Sequence, residues 1–189
     1  MARSEDDLQV RLQQAALDLF RERGFDRTTA AEIAAQAGVT ERTFFRHFPD
    51  KREVLFDGEA VLRNALTAAI AEVPEGLGPL DTLFHAFRSV VPLLEANRPF
   101  AKPRQEVIAA TPALAERELA KYAALAGALA AALRARGTDD LRAVLAAQTG
   151  MTAFTQATLS WLDAPSPSLG DRLDVVRRAL TNLLSGGPD

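Results

Sequence analysis

Segment 24–51 has the sequence pattern of two short helices on either side of a tight turn. This pattern constrains the fold more than any other part of the chain. Thr29 and Glu32 form a Thr-x-x-Glu capping box at the start of the first stretch. Ala37 and Gly38 follow and allow a tight turn, and Thr40 is a suitable N-cap for the second stretch. Short helices joined in this way, with a longer helix on each side, predict a helix-turn-helix.

The rest of the chain also follows a helical pattern. Alanine and leucine dominate the apolar content, whereas aromatic residues make up 6% of the sequence, a balance that favours helices over strands. Breakers and the i, i+3, i+4 spacing of apolar residues divide the chain into about nine helices. Their predicted ranges are 7–23, 29–38, 40–47, 50–72, 80–96, 99–110 with an interruption at Pro103, 112–136, 138–161 and 169–184. We therefore expect an all-α fold.

Composition excludes several kinds of protein. The chain has no cysteine, which excludes disulfides and thiolate metal sites. No apolar run reaches the ~18 residues of a membrane span, and the acidic, polar first residues are unlike a signal peptide. The expectation is a cytoplasmic protein with no membrane association, metal or cofactor. The net charge is −3, so any bound DNA must be held by a few well-placed side chains.

Residues 8–55 resemble the head of the TetR family of bacterial regulators. The resemblance rests on Phe25, Thr28, Thr29, Ile33, Ala34, Ala37, Gly38, Val39, Thr40, Thr43, His47, Phe48 and Lys51. It implies an N-terminal three-helix helix-turn-helix DNA-binding domain, residues 1–50, followed by a helical ligand-binding and dimerisation domain, residues 51–189. It further implies a transcriptional repressor that a small-molecule effector releases from a double-stranded DNA operator.

The resemblance also implies which side chains bind DNA. The candidates are Thr28, Thr29, Thr40, Glu41, Arg42, Thr43, Phe45, Arg46, His47 and Lys51. Among them Thr29, Thr40, His47 and Lys51 would contact phosphates, while Arg42, Thr43 and Glu41 would contact bases. Phe45 stands where the family often has tyrosine and offers only apolar contact, whereas Arg42 stands where glycine is frequent and can reach guanine. An alternative for Lys51 is a solvated side chain at a helix start.

Two predicted helices carry a candidate dimer interface. The last helix spaces its apolar residues alternately by four and three, as in a heptad seam, and the preceding helix adds two more candidates. The set is Leu145, Phe154, Leu169, Leu173, Val176, Leu180 and Leu183. The resemblance implies a homodimer with a four-helix interface. For the helix predicted over 138–161 the alternative is an intramolecular core, because periodicity does not identify the partner.

Polar residues on otherwise apolar helices are candidates for an effector pocket, since such pockets combine apolar walls with a few convergent polar groups. The candidate residues are Phe84, Phe87, Arg88, Arg104, Gln105, Tyr122, Gln148, Thr152 and Phe154. The alternative for each polar residue is an ordinary position at the boundary between the core and the solvent. A buried arginine would favour a ligand that carries carboxylate or phosphate.

Two other functional classes remain as alternatives. An enzyme is disfavoured because the sequence shows no Ser/His/Asp set, metal-spaced cluster or glycine-rich phosphate loop. A protein-interaction module would use the short helices to dock a protein. Salt would distinguish it from a DNA-binding protein, because counterion release makes DNA binding fall steeply as salt rises.

Overall fold

The computed structural model describes residues 2–185, with side chains from residue 7 onward. In this part of the chain the secondary structure is helical, without a strand, which confirms the predicted all-α fold. The helices are α1 (Ala2–Arg23), α2 (Ala30–Gln36), α3 (Glu41–His47), α4 (Glu59–Glu72), α5 (Pro79–Ser89), α6 (Val91–Ala96), α7 (Arg98–Ala109), α8 (Pro112–Ala135), α9 (Asp140–Asp163) and α10 (Leu169–Ser185).

Three predicted helices differ from the observed ones. The helix expected over 50–72 begins only at Glu59, after a 3₁₀ turn at Glu53–Leu55, and the Glu53 carboxylate pairs with Arg117. The helix expected over 80–96 is split between α5 and α6, because Pro92 in the first turn of α6 lacks the N–H that a continuous helix would require. Conversely, α7 continues through Pro103 without the expected interruption.

The first of two compact units comprises the residues up to Glu59 together with Pro99–Glu118. Its core joins the apolar stripe of α1 to the inner faces of α2 and α3, and Val107, Ile108 and Leu114 from α7 and α8 belong to the same buried cluster. The functional boundary after residue 50 stays a prediction.

An ion-pair cluster ties the segment before α4 to α7 and α8 within this unit. Arg104 lies 2.8 Å from Glu118, and Arg117 lies 2.7 Å from Glu53. Both guanidinium groups lie within 5 Å of the Phe56 ring centroid, at 4.9 and 4.7 Å. The cluster is therefore held by cation–π contacts as well as by charge pairs.

The second unit comprises Ala60–Arg98 and the residues from Leu119 onward. At its centre α5 and α9 approach closely, because Gly150 has no side chain. A Cβ at that position would lie 2.8 Å from Leu83 Cδ1. Next to this contact the rings of Phe87 and Phe154 stack, and α10 covers the core with the fully buried Leu169.

Two properties of the described residues bear on other functional classes. None of the helices in residues 2–185 combines the length and apolarity needed to cross a membrane. The same part of the chain holds no group of three or more His, Cys, Asp or Glu side chains placed to bind a metal ion.

Candidate nucleic-acid interface

The turn between α2 and α3 has the predicted local geometry. Gly38 adopts φ +72°, which a residue with a Cβ rarely tolerates, and the Val39 amide donates to Ala34 O at 2.9 Å. Arg11 of α1 adds a bond that the sequence did not reveal, since its guanidinium donates to Ala37 O. Its partner lies 26 residues away, so a local sequence pattern could not identify it.

Helix α3 has one face in the core and one in solvent. The rings of Phe44 and Phe48 are buried on the inner face with centroids 5.5 Å apart, as predicted. The outer face carries Arg42 and Arg46, both exposed, and Phe45, which is 50% exposed. Phe45 is braced edge-on against Phe44. A short helix that presents two cations and an apolar ring can bind phosphates, guanine edges and thymine methyl groups.

The first turn of α3 carries the shorter side chains that were predicted to contact DNA. The Thr40 hydroxyl accepts from the Thr43 amide at 3.2 Å and shares a hydrogen bond with the Thr43 hydroxyl at 3.0 Å. Glu41 is exposed beside them. Thr40, Arg42, Thr43, Phe45 and Arg46 line one depression in the surface, so the structure brings these predicted residues together.

Thr28 and Thr29 build the start of α2. Thr28 is 1% exposed and its hydroxyl donates to Gly24 O at 2.9 Å, which corrects the expectation that this side chain contacts DNA. Thr29 caps the helix with Glu32, and the predicted capping box is confirmed. The Thr29 backbone N–H is the main cause that lowers the pKa of Glu32, and the Thr29 hydroxyl lowers it further.

His47 and Lys51 lie in less accessible surroundings than expected. The buried Nε2 atom of His47 has no hydrogen-bond partner in the described part of the chain. Partial desolvation raises the pKa of nearby Asp57, and its electrostatic interaction with His47 lowers it by a smaller amount. Lys51 Nζ donates to two backbone carbonyls, Phe25 O at 2.7 Å and Thr28 O at 3.0 Å. Its ammonium group therefore points into the molecule.

Three aromatic residues predicted for the effector pocket lie together in the second unit. Phe84, Phe87 and Phe154 are buried, and the ring of Phe87 contacts both others. Tyr122 on α8 is partly buried. The three phenylalanine side chains form an apolar group in the core of the second unit.

The polar pocket candidates are mostly elsewhere. Arg88 is exposed and pairs with Asp174 at 2.9 Å, while Gln148 and Thr152 are exposed on α9. Arg104 belongs to the first unit, where it pairs with Glu118, and the partly buried Gln105 is in the same unit. Arg88, Gln148 and Thr152 therefore occupy the boundary positions that were the alternative for them. Helical periodicity locates a face but not the neighbour that covers it.

The dimer candidates divide in a similar way. Leu145 is 57% and Leu183 76% exposed, and Val176 and Leu180 are partly buried. By contrast, Phe154, Leu169 and Leu173 are buried inside their own chain. Phe154 thus agrees with the intramolecular alternative, and Leu169 and Leu173 correct the expectation of a place in the dimer interface, because α5, α9 and α10 form the core of the second unit. Further exposed apolar residues accompany Leu145 and Leu183 on α9 and α10, namely Leu141, Val144, Val175 and Leu184.

Family models match both parts of the chain. The model described as "Bacterial regulatory proteins, tetR family" matches residues 12–57. The model described as "MftR C-terminal domain" matches residues 77–185. The first match contains α2, α3 and the turn between them, and the second contains α5 to α10.

Individual proteins of known sequence or structure agree with these matches. The HTH-type transcriptional regulator TcmR of Streptomyces glaucescens is 33% identical over 132 residues, which are 67% of this chain and 58% of TcmR. The chain thus spans less than two thirds of that relative. FadR of Thermus thermophilus, a TetR-family repressor solved with lauroyl-CoA, is 29% identical with a TM-score of 0.55, and the match covers 92% of this chain and 93% of FadR.

A third similarity concerns the fold alone. The structure of SmeT bound to triclosan has a TM-score of 0.64 and 21% identity, with 92% of this chain and 91% of SmeT covered. SmeT is a repressor from Stenotrophomonas maltophilia. An identity this low says nothing about ligands, but the coverage shows that the fold similarity extends over almost the whole chain.

Proposed function

Because the chain belongs to the TetR family of transcriptional regulators, we propose that it represses transcription from an operator and is released by a small-molecule effector. The observation that carries this proposal is the solvent-facing side of α3, on a helix-turn-helix whose turn is fixed by Gly38 and Arg11.

Helix α3 is the element that enters the major groove in this proposal. Arg42 is exposed and can donate two hydrogen bonds to guanine O6 and N7. Phe45 is fixed against Phe44 and can contact a thymine methyl group. Thr43 and Arg46 complete the interface with bases and phosphates. The formal charge of the protein is negative, so these local cations provide the attraction to DNA.

A homodimer is the second part of the proposal. One seven-residue recognition helix reads few base pairs, whereas two copies related by two-fold symmetry read two half-sites about one helical turn apart. The exposed apolar residues of α9 and α10, with Leu145 and Leu183 among them, are the surface that the partner would cover. Burial of such a surface is the main favourable term in association.

The dimer surface can be tested with matched leucine variants. Leu145→Glu places a charge on the proposed interface, while Leu119→Glu places one on α8 at a leucine that is 69% exposed. Sedimentation velocity at micromolar concentration should give a dimer for the wild type and for Leu119→Glu, and a monomer for Leu145→Glu. An unchanged dimer for Leu145→Glu would exclude this surface.

The effector site is proposed among the aromatic side chains of the second unit. Phe84, Phe87 and Phe154 are apolar and in contact through the ring of Phe87, and the partly buried Tyr122 of α8 carries a hydroxyl in the same unit. FadR was solved with lauroyl-CoA, so long-chain acyl thioesters stand first among the ligands to be tried. Release requires that the effector bind the DNA-free conformation more tightly than the DNA-bound one.

Fluorescence anisotropy of a labelled duplex from upstream of the gene tests the whole proposal. Protein is titrated at several salt concentrations, and the complex is then challenged with acyl thioesters, fatty acids and apolar cations. Tight binding that weakens steeply with salt and is abolished by one ligand class would support a ligand-released repressor. Salt-insensitive binding, or none to this and neighbouring intergenic duplexes, would favour the protein-interaction alternative.

A further inference from the structure

Lys51 is the one candidate for a phosphate contact whose charged group is already bound to two backbone atoms in the described part of the chain. Its Nζ atom donates to Phe25 O at 2.7 Å and to Thr28 O at 3.0 Å, and lies 4.1 Å from the centroid of the Phe25 ring. An ammonium group has three N–H donors, so two are occupied. The bonds connect residues 26 and 23 positions apart.

These bonds act on the loop between α1 and α2. The Thr28 carbonyl belongs to the same peptide group as the Thr29 N–H, and that N–H donates to the Glu32 carboxylate at 2.8 Å. The Lys51 ammonium group thus donates to the oxygen of this peptide group, and the Glu32 carboxylate accepts from its N–H. Thr29 is the N-cap of α2, so the orientation of this peptide determines where α2 begins.

The surroundings favour a bound ammonium group over a solvated one. Lys51 is partly buried, the Phe25 ring stabilises its charge, and hydrogen bonds from a charged donor are stronger than those between neutral groups. The guanidinium groups of Arg42 and Arg46, in contrast, are on exposed residues of α3. The ammonium group of Lys51 and the guanidinium groups of α3 therefore have different surroundings, and we expect them to contribute differently to DNA binding.

We propose that Lys51 is a positioning residue for DNA binding, whose ammonium group holds the α1–α2 loop and the start of α2 in the orientation that places α3 on DNA. It does not act as a phosphate ligand. This proposal rests on the proposed function. It assigns the loss of affinity in a Lys51 variant to displacement of the loop, and not to the loss of a counterion-releasing contact.

The salt dependence of binding separates the two roles. Each phosphate contact that is lost makes the slope of log affinity against log salt shallower by about 0.9. Lys51→Met keeps the apolar length of the side chain but removes the charge. It should weaken binding of the upstream duplex roughly tenfold to a hundredfold, given the usual strength of charged hydrogen bonds, with a slope parallel to that of the wild type.

Arg46→Gln is the matched control, since it removes a charge from the exposed face of α3. Its slope should be shallower than that of the wild type. Lys51→Arg, which can still donate to both carbonyls, should restore most of the affinity lost in Lys51→Met. Stoichiometric titration at low salt gives the active fraction of each variant and separates misfolded protein from weakened binding.

Amide hydrogen exchange of the DNA-free protein is the second readout. Lys51→Met should increase exchange over residues 25–33 and leave α9 unchanged, whereas Arg46→Gln should not affect residues 25–33. A shallower slope for Lys51→Met with unchanged exchange would overturn the proposal and restore the phosphate contact. Absence of salt-dependent binding by the wild type would instead overturn the proposed function, and with it the role assigned to Lys51.

Discussion

The rings of Phe87 and Phe154 stack with their centroids 4.5 Å apart and their planes inclined by 24°. This contact joins α5 to α9 at the point where Gly150 allows the two helices to approach. It gives Phe154 a place in the core of its own unit, whereas the sequence places Phe154 in the predicted dimer interface and leaves an intramolecular core as the alternative. The stability of the second unit should therefore depend on it.

Phe154→Ala should lower the free energy of unfolding by about 3–5 kcal/mol, because it removes a buried ring and leaves a cavity that the neighbours fill only in part. Chemical denaturation followed by circular dichroism measures the loss. Phe45→Ala is the matched control, since Phe45 is 50% exposed and its removal should change stability by less than about 1 kcal/mol. Equal effects of the two substitutions would contradict this account of the core.

Two helical glycines should respond oppositely to alanine. Gly127 on α8 has open space where a Cβ would lie, so Gly127→Ala should stabilise the protein by about 0.5–1 kcal/mol through helix propensity. Gly150→Ala would place its methyl group 2.8 Å from Leu83 Cδ1 in a packed core. Overpacking costs about 1–3 kcal/mol, so the midpoint of thermal unfolding should fall. A rise for Gly150→Ala would show that Leu83 moves aside freely.

Replacing only one member of the Arg104–Glu118 pair should strongly lower the free energy of unfolding. Their side chains are 13% and 7% exposed, and removal of one member of a buried pair typically costs about 3–5 kcal/mol. Glu118→Leu should therefore be strongly destabilising in denaturant titrations. The double variant Arg104→Met with Glu118→Leu should be more stable than that single variant, because it leaves no unpaired charge.

The exposed pair Arg88–Asp174 provides the comparison for this prediction. Its side chains are 51% and 38% exposed, and an exposed pair contributes about 0–1 kcal/mol. Asp174→Ala should therefore change the free energy of unfolding only slightly. If Asp174→Ala and Glu118→Leu cost the same, burial would not explain the difference between the pairs.

Arg42→Ala tests the proposed contact with guanine. Loss of a bidentate contact costs about 1–3 kcal/mol and removes discrimination at one base pair. Anisotropy titrations with duplexes substituted at single positions should show weaker binding together with relaxed preference at one position of each half-site. Arg178→Ala, at an exposed arginine on α10, should bind as the wild type does. A uniform loss across all duplexes would indicate a phosphate contact instead.

The capping box of α2 should make the head sensitive to acid. The pKa of Glu32 is held below its ordinary value of 4.5 by the Thr29 N–H and hydroxyl. A carboxylate with a lowered pKa stabilises the folded state above the unfolded-state pKa, and this contribution disappears as pH falls through the folded-state pKa. Amide protection at the start of α2, corrected for the intrinsic pH dependence of exchange, should therefore fall below pH 4.5.

Glu32→Gln is the control for this pH dependence. Glutamine can complete the same capping box without titrating, so the corrected amide protection at the start of α2 should not fall at low pH in this variant. The same loss of protection in Glu32→Gln would assign the effect to another group.

Local features of the head could be predicted from the sequence. The Thr29–Glu32 box, the hydrogen bond from Val39 to Ala34 across the Gly38 turn and the buried spacing of Phe44 and Phe48 involve residues at most five positions apart. Their geometry follows from backbone hydrogen bonding and helical periodicity. The resemblance of this segment to a known family was therefore sufficient to identify a helix-turn-helix, and the boundaries of α2 and α3 differ little from the predicted ones.

The direction in which a side chain points was decided by tertiary structure. The apolar residues of α10 form a periodic pattern in the sequence. In the structure, however, Leu173 is buried and Leu183 is 76% exposed. Lys51 matched a family position, yet its ammonium group binds carbonyls more than twenty positions away. The sequence alone determined the helices, their apolar faces and the recognition turn, because these depend on neighbouring residues. Which partner covers each face depends on long-range packing, which periodicity does not encode.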